Sequence, residues 1–405
     1  MNTFGELSEL KILHIGKFYP PHKGGMETHL RDLAVRQARV ARVRVIVANH
    51  RPEHEISEIE GLTVERIARV TSIASMPVCP GLVNAIRKAP ADIVHLHMPN
   101  PGAALAFLLS GHKGKLVITH HADTLGRKLL RQMSNPFVLR AMDRARGIIV
   151  TSARYLDSSA ELAPFRRKCQ IIPLGIDPLQ INLEDAPDDP LSGSLPAGPI
   201  LLAVGRLVKY KGFAVLLEAM RRISATLLIV GTGPEAERLR QVSVNLGVED
   251  KVRMLGHVSD LRPYCRKADI FVMPSLTRAE AFGLVQLEAM AAGLPVINTD
   301  IDSAVPEISV DGATGFTVPP GDASALVSAI NRLLNDKELR ARFGAAGRAR
   351  VMQEFTADTM AHRTLALYQD LLNERVHRNS NAHVHSASSS VPALDATLRR
   401  ASSRS

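Results

Sequence analysis

Residues 278–298 read RAEAFGLVQLEAMAAGLPVIN, with Glu280 and Glu288 eight positions apart. Phe282-Gly283-Leu284 lies between the two acids, where a loop turns into a helix. The helix predicted from there carries Glu288 and stops at Gly293, and Pro295 then opens an apolar strand, which is helix-end chemistry. A loop carboxylate, a helix N-terminus and a helix carboxylate are thereby gathered at the carboxyl end of a strand. The unpaired N–H groups of a helix start favour phosphate, and carboxylates accept hydrogen bonds from sugar hydroxyls. Together these parts describe a pocket for a nucleotide sugar. Taken alone, the spacing fits a loop acid and a solvated helix face better; its surroundings tip the reading.

Upstream, apolar runs alternate with helical patterns: PILLAVGRL, ATLLIVGTG, KVRMLGH, DIFVMPS and LPVINTD follow one another from Pro199. This is the rhythm of βα units around a parallel sheet. Gly205-Arg206 ends the first of these strands and Lys211-Gly212 opens the next helix. A guanidinium grips two oxygens and an ammonium adds a point charge, so Arg206 and Lys211 can converge on a diphosphate. Either residue alone is an ordinary basic loop residue. Gly231-Thr232-Gly233-Pro234 is a weak glycine signal, serving close helix–sheet packing. GxGxxG with a downstream acid is missing, which disfavours hydride transfer, and GxxxxGK[ST] is missing, which removes P-loop chemistry.

The first half repeats the rhythm, with strands predicted over Lys11–Lys17, Val43–Ala48, Ile93–His97, Leu116–His120 and Gly147–Thr151, and helices over Glu27–Arg39 and Leu125–Arg144. Strand one runs into YPPHKGGME, residues 19–27, whose Gly24-Gly25 lets a ligand approach the backbone ahead of a helix. His95 and His97 share a strand face, whereas His120 and His121 point oppositely, with Asp123 close behind. Hydrogen-bonded strand-end residues account for His95, His97 and His120 as well as a functional role does. No CxxC or HExxH supports a metal, and Asp300-Ile301-Asp302 mimics a cation-binding Asp-x-Asp without a supporting cluster.

The pattern gives an α/β chain of two Rossmann-like domains, 1–178 and 200–357. A Pro/Asp/Ser/Gly-rich linker, 179–199, joins them. A helix over 358–376 follows, with Met360, Thr364, Leu365, Tyr368, Leu371 and Leu372 on one face. Residues 377–405 read as a disordered tail. At 405 residues, with 45% hydrophobic and 22% charged residues, the chain suits two soluble domains. No run reaches the ~20 apolar residues of a membrane span. Three scattered cysteines and a leaderless N-terminus fit a reducing cytoplasm.

The net charge of +10 sits in the first half: 25 Lys and Arg against 15 acids over 1–178, and 25 against 25 thereafter. With 4% aromatics and no Trp, stacking platforms for nucleic acid are poorly supplied. An anionic membrane or a phosphorylated substrate is the better partner. The basic stretch 125–146, LGRKLLRQMSNPFVLRAMDRAR, is the candidate membrane face at the cytoplasmic side, with Pro136 expected to divide it into two helices.

These residues, in this order, resemble the retaining glycosyltransferases of family four, of GT-B architecture. The resemblance covers roughly 10–375. It rests on Gly24-Gly25, His121-Ala122-Asp123, Ile172–Asp177, Gly205-Arg206 with Lys211-Gly212, Gly231–Pro234, Glu280–Glu288 and Val305-Pro306-Glu307. It implies two domains facing a cleft and a last helix crossing back to the first. It implies that Glu288 binds the ribose and Glu280 the donor hexose. Arg206 and Lys211 would hold the diphosphate, helped by the N–H groups of Gly283 and Leu284 and by the Gly25 loop. His121 would lie beside the transferred sugar, with Asp123 next to the donor. HLHMPNP and HHAD look most like polysaccharide mannosyltransferases acting on lipid-linked acceptors.

Two cations and a helix start can stabilise a leaving diphosphate without a metal ion or other cofactor. No carboxylate is clearly placed as a covalent nucleophile, so same-face substitution is favoured over double displacement. A sugar-nucleotide epimerase, which would need an acid/base pair and no acceptor, is the alternative enzyme. A silent nucleotide-sugar-binding protein is the non-enzymatic one, and its mark would be loss of Glu280, Arg206 or Lys211.

Overall fold

Runs rich in Val, Ile and Leu become parallel strands when helices cover both sheet faces. The computed structural model describes residues 7–22, 24–73, 76–123, 128–187, 191 and 197–386, and arranges these runs as two such sheets. The first sheet runs, in spatial order, Cys169–Ile171, Gly147–Val150, Lys115–His120, Ile93–Met98, Lys11–Ile15, Arg42–Ala48, Leu62–Ile67 and Glu55–Ile59. Only the last pair is antiparallel. The second runs Val252–Gly256, Thr226–Val230, Ile200–Val204, Ile270–Val272, Val296–Thr299 and Gly315–Val318, all parallel. Ile93–Met98 and Thr226–Val230 are buried along their whole length.

In each sheet the strand order reverses once, between Lys11–Ile15 and Ile93–Met98 and between Ile200–Val204 and Ile270–Val272. Chains leaving the carboxyl ends on either side of such a reversal diverge and open a crevice. The loops of interest leave from these strands: Gly24-Gly25 and His97 in the first sheet, Arg206–Lys211 and Glu280 in the second.

The helix Ala357–Ser386 returns to the first domain. Met360, Ala361, Leu365, Tyr368 and Leu371 are buried against Leu30, Leu33 and Ala34 of the helix Gly25–Gln37 and against Val117 and Ile149 of the sheet. The chain thus crosses between domains twice, and the crossings lie side by side. Ala357 N donates to Ile176 O at 2.8 Å, and a Cβ on Gly175 would stand 2.3 Å from Thr356 O. Arg36 binds both crossings, at 3.1 Å from Asp177 and 3.0 Å from Asp358.

Several expectations need correcting. Pro136 does not split its helix, which runs Lys128–Arg144. A proline costs one N–H and a kink, and Val138, Ala141 and Met142, all within 1% of full burial, anchor the following turns. The last helix continues to Ser386, so 377–386 is not tail; the backbone ladder propagates past the buried turns at one bond per residue. Residues 387–405, Arg127, and linker positions 188–190 and 192–196 lie outside the described residues. The antiparallel hairpin around Glu60 and Gly61, both at positive φ (52° and 77°), and the edge strand Gly315–Val318 were not anticipated. EISEIEGLTVERI carries the alternation and the turn that mark this hairpin.

Candidate active site

Gly283, at φ 77°, takes the left-handed conformation that ends the loop and starts the helix Leu284–Ala291. It has no side chain to cap the helix, so the first N–H groups remain available. Gly24 precedes the helix Gly25–Gln37 in the same uncapped way. The two helix starts face each other, since a Cβ on Gly25 would lie 3.8 Å from Leu284 Cδ1. Two helix starts without a side-chain cap, one from each domain, therefore border one cleft.

Beside them Lys211 Nζ is ion-paired with Glu280, each side chain about a tenth exposed, and Ser275 Oγ donates to Glu280 at 3.2 Å. The pair holds its charges at the sheet's reversal point, where Lys211 also lies over Gly205: a Cβ there would come within 3.2 Å of Nζ. Arg206 is exposed and lines a recess of about 470 Å³ with Gly205, Gly231, Gly233, His257 and Leu261. Gly231, at φ 138°, admits no side chain, because a Cβ would sit 1.9 Å from Gly205 O. Glu288 is partly buried, and burial pushes its carboxyl up to about 7.

On the opposite wall His121 is buried, and burial, with His120 adding to it, holds the ring down to about 3. It is neutral at any working pH. The alternation expected of the histidines holds. His95 and His97 stack at 4.5 Å, His121 faces His97, and His120 turns away to Tyr155 and Glu161. His95 is structural, held by Thr119 at 2.6 Å and Tyr368 at 2.5 Å.

Asp123 departs from the place expected of it. Its carboxylate is engaged by Arg278 at 2.6 Å, Tyr155 at 3.0 Å and Ser159 rather than left open to a donor. Arg278 also donates to Ser158 O at 2.7 Å. Arg278 stands two residues before Glu280, and Asp123 two residues after His121. This ion pair therefore brings the His121 and Glu280 segments together across the domains. Ala153 N donates to Glu307 Oε2 at 3.2 Å and Arg154 to Asp300 at 2.7 Å, so two more contacts join the same faces. Asp300 and Asp302 serve Arg154, not a cation cluster.

The architecture and these loops have relatives. The family profile described as "Glycosyltransferase Family 4" matches residues 23–179, and that described as "Glycosyl transferases group 1" matches 192–350. A phosphatidyl-myo-inositol mannosyltransferase of Mycobacterium leprae is 31% identical over 371 residues, covering 85% of this chain and 93% of its own. The chain belongs to glycosyltransferase family 4. The transferase is also 29% identical to O-antigen chain mannosyltransferase C of Escherichia coli, over 90% of this chain and all of that one. Its GT-B fold is shared with sucrose-phosphate synthase of Thermosynechococcus elongatus. There the TM-score is 0.73 at 24% identity, with 90% of this chain and 100% of that one covered. An Anabaena protein crystallised with UDP and glucose aligns at TM-score 0.71 and 22% identity, covering 89% and 100%.

Sequence reasoning missed Arg278, Tyr155 and the histidines His14 and His29. Arg278 lies inside the stretch that decides the fold, yet its partner is 155 residues away and only the tertiary structure supplies it. His14 pairs in register with His95 on the neighbouring strand, a match visible once strands one and three of the chain's rhythm are set side by side.

Proposed function

We propose that this transferase moves a hexose, mannose from GDP-mannose before glucose from UDP-glucose, to a lipid-linked or polysaccharide acceptor with retention of configuration. The observation that carries it is the buried Lys211–Glu280 pair beside two uncapped helix starts from opposite domains. Cations and N–H groups there meet the charge that builds on a leaving diphosphate, and preorganised electrostatics of this kind is usually the largest catalytic contribution. Glu280 orients the hexose hydroxyls and keeps Lys211 in place. Arg206, exposed at the strand end, takes the outer phosphate. Glu288 accepts from the ribose. Neutral His121 hydrogen-bonds the sugar without adding a positive charge beside an oxocarbenium-like centre. The leaving phosphate accepts the acceptor's proton, and no metal ion takes part.

The mannose preference rests on the relatives' names, two of which are mannosyltransferases. Among the described residues no helix is long and apolar enough to cross a membrane. Contact with the cytoplasmic membrane face would come from the basic first domain, where Phe137 is 40% exposed and Arg140 lies on the surface. The core claims Val138, Ala141 and Met142 of that helix, leaving a narrower face than the sequence suggests.

Purified protein given a panel of nucleotide sugars, with and without a lipid-extract acceptor, tests the reading. Release of GDP from GDP-mannose, stimulated by acceptor, is expected. Acceptor-independent conversion of the sugar nucleotide to its epimer would replace the transferase reading with an epimerase.

A further inference from the structure

Five histidines, His14, His29, His95, His97 and His121, lie buried and in ring contact beneath the first domain's cleft wall. Three triads of potential ligands can be drawn in this region, and hydrogen bonding separates them. In His14–His95–His97, His14 is held by Gln37 at 2.7 Å and His97 at 3.1 Å, and both nitrogens of His95 are taken by Thr119 and Tyr368. In His120–Asp123–Glu161, His120 is held by Tyr155 and Glu161, and Asp123 by Arg278. In His29–His97–His121 the situation differs. His29 is 4% exposed, and neither of its ring nitrogens has a hydrogen-bond partner. A buried polar group left unmatched costs roughly 1–3 kcal/mol, and here an N–H and a lone pair are both unmatched in one ring.

The spacing of this triad is that of a coordination shell. His97 Nδ1 and His121 Nε2 are 3.4 Å apart, and the three ligand nitrogens lie within 4.8 Å of one another. Imidazole nitrogens ~2.1 Å from one tetrahedral ion stand about 3.4 Å apart, with ring centres about 5 Å apart. The observed centres are 4.8 Å for His29–His121, 5.4 Å for His29–His97 and 5.7 Å for His97–His121. A small swing of His29 completes the set. Support beyond the ligands is also present. With Nδ1 on the ion, His97 Nε2–H donates to His14 Nδ1, whose Nε2–H donates to Gln37 Oε1, fixing the tautomers as a ligand's outer hydrogen bonds do. Burial keeps His97, His29 and His121 deprotonated, as ligation requires. Hydrogen-bonded neutral histidines would explain His97 and His121 equally well, but not the bare nitrogens of His29.

We infer that His29, His97 and His121 form a three-nitrogen site for a late first-row divalent cation, Zn²⁺ foremost, reached through the cleft beside His121. Imidazole suits Zn²⁺, Cu²⁺ and Ni²⁺, whereas Mg²⁺ demands oxygen ligands. On the reading that His121 lies beside the transferred sugar, an ion bound there withdraws that ring and inhibits transfer. Binding itself does not depend on that reading.

The test is calorimetric titration of the full, EDTA-stripped chain with ZnCl₂, with MgCl₂ as control and Co²⁺ absorption as a probe of geometry. One Zn²⁺ per chain and a tetrahedral Co²⁺ spectrum are expected, with no Mg²⁺ uptake. His29→Gln should weaken Zn²⁺ binding 10–100-fold, as should His97→Gln. His29→Gln should keep its activity in EDTA, while wild-type activity is suppressed by stoichiometric Zn²⁺. Replacing His377, His383 and His385 together by Gln should leave binding intact. No one-to-one uptake, an octahedral Co²⁺ spectrum, or binding undiminished in both His29→Gln and His97→Gln would overturn the site, whatever the enzyme assay shows.

Discussion

The two walls of the cleft handle buried ionisable groups in opposite ways. The first domain buries histidines and keeps them neutral, with His14 held down to about 4 and His121 to about 3 by burial. The second pairs a cation with an acid, Lys211 with Glu280, and pushes the isolated carboxyl of Glu288 up to about 7. The division suits the proposed transfer, in which the second wall meets the diphosphate and the first the sugar. A diphosphate needs fixed positive charge, whereas a cation-like sugar centre is best met by neutral, polarisable rings. It also makes the walls respond oppositely to acid. Histidines with lowered folded pKa values stabilise fully above 6.5 and lose that contribution as pH falls toward 4. Glu288, with a raised value, destabilises as pH climbs from 4.5 to 7, because the unfolded chain ionises first.

The contrast breaks most visibly at the cations. Lys211→Ala and Arg206→Ala should each lower turnover by roughly 10²–10³, read as steady-state GDP release, while EDTA leaves wild-type activity in place. Abolition by EDTA with rescue by Mg²⁺ or Mn²⁺ would move the charge from protein to metal. The bridge between the walls comes next. Arg278→Ala and Asp123→Asn should reduce kcat by about tenfold to a hundredfold, since positioning shared across a cleft is lost. Both should leave free-nucleotide affinity unchanged, and a loss confined to KM would reduce the pair to substrate binding.

Stability against pH separates the walls further. Melting of the whole chain should weaken from pH 6.5 toward 4. His14 alone, lowered from 6.5 to about 4, contributes roughly 3 kcal/mol of that loss, at ~1.4 kcal/mol per unit. His14→Gln should flatten the slope, and an unchanged slope would show the ring to be solvated. The smallest effect belongs to Glu288. Free-GDP affinity should rise about threefold to tenfold between pH 6 and 8 as its carboxyl ionises, and Glu288→Gln should abolish that rise. A pH-independent wild type would remove Glu288 from the ribose.

Legibility in the sequence followed how local each cause was. The parallel strands were visible because buried runs such as TLLIV are continuous and apolar, and the helix at Leu284 because Gly283 and Gly293 bracket it. The last helix was legible from its apolar face, and its return to the first domain from the family resemblance. What escaped depended on distant partners. Arg278 looks like any loop arginine until Asp123 is brought to it, and His29 looks like a helix-surface histidine until the sheet covers it. Pro136 misled because its local cost is real but small beside the burial of Val138, Ala141 and Met142. Asp123 escaped because its partners are distant in sequence: Tyr155 and Ser159 of its own domain hold one oxygen, and Arg278 of the other domain holds the second.

In the proposed mechanism, protein charge on the second wall, not a metal, carries the leaving diphosphate. Single-turnover cleavage of GDP-mannose in EDTA, for wild type and Lys211→Ala with free-GDP affinity measured alongside, tests it most directly. Cleavage slowed at least a hundredfold in the variant, with GDP affinity changed only a few-fold, is the predicted result. Equal cleavage rates in the two proteins, or a loss wholly explained by weaker GDP binding, would contradict it.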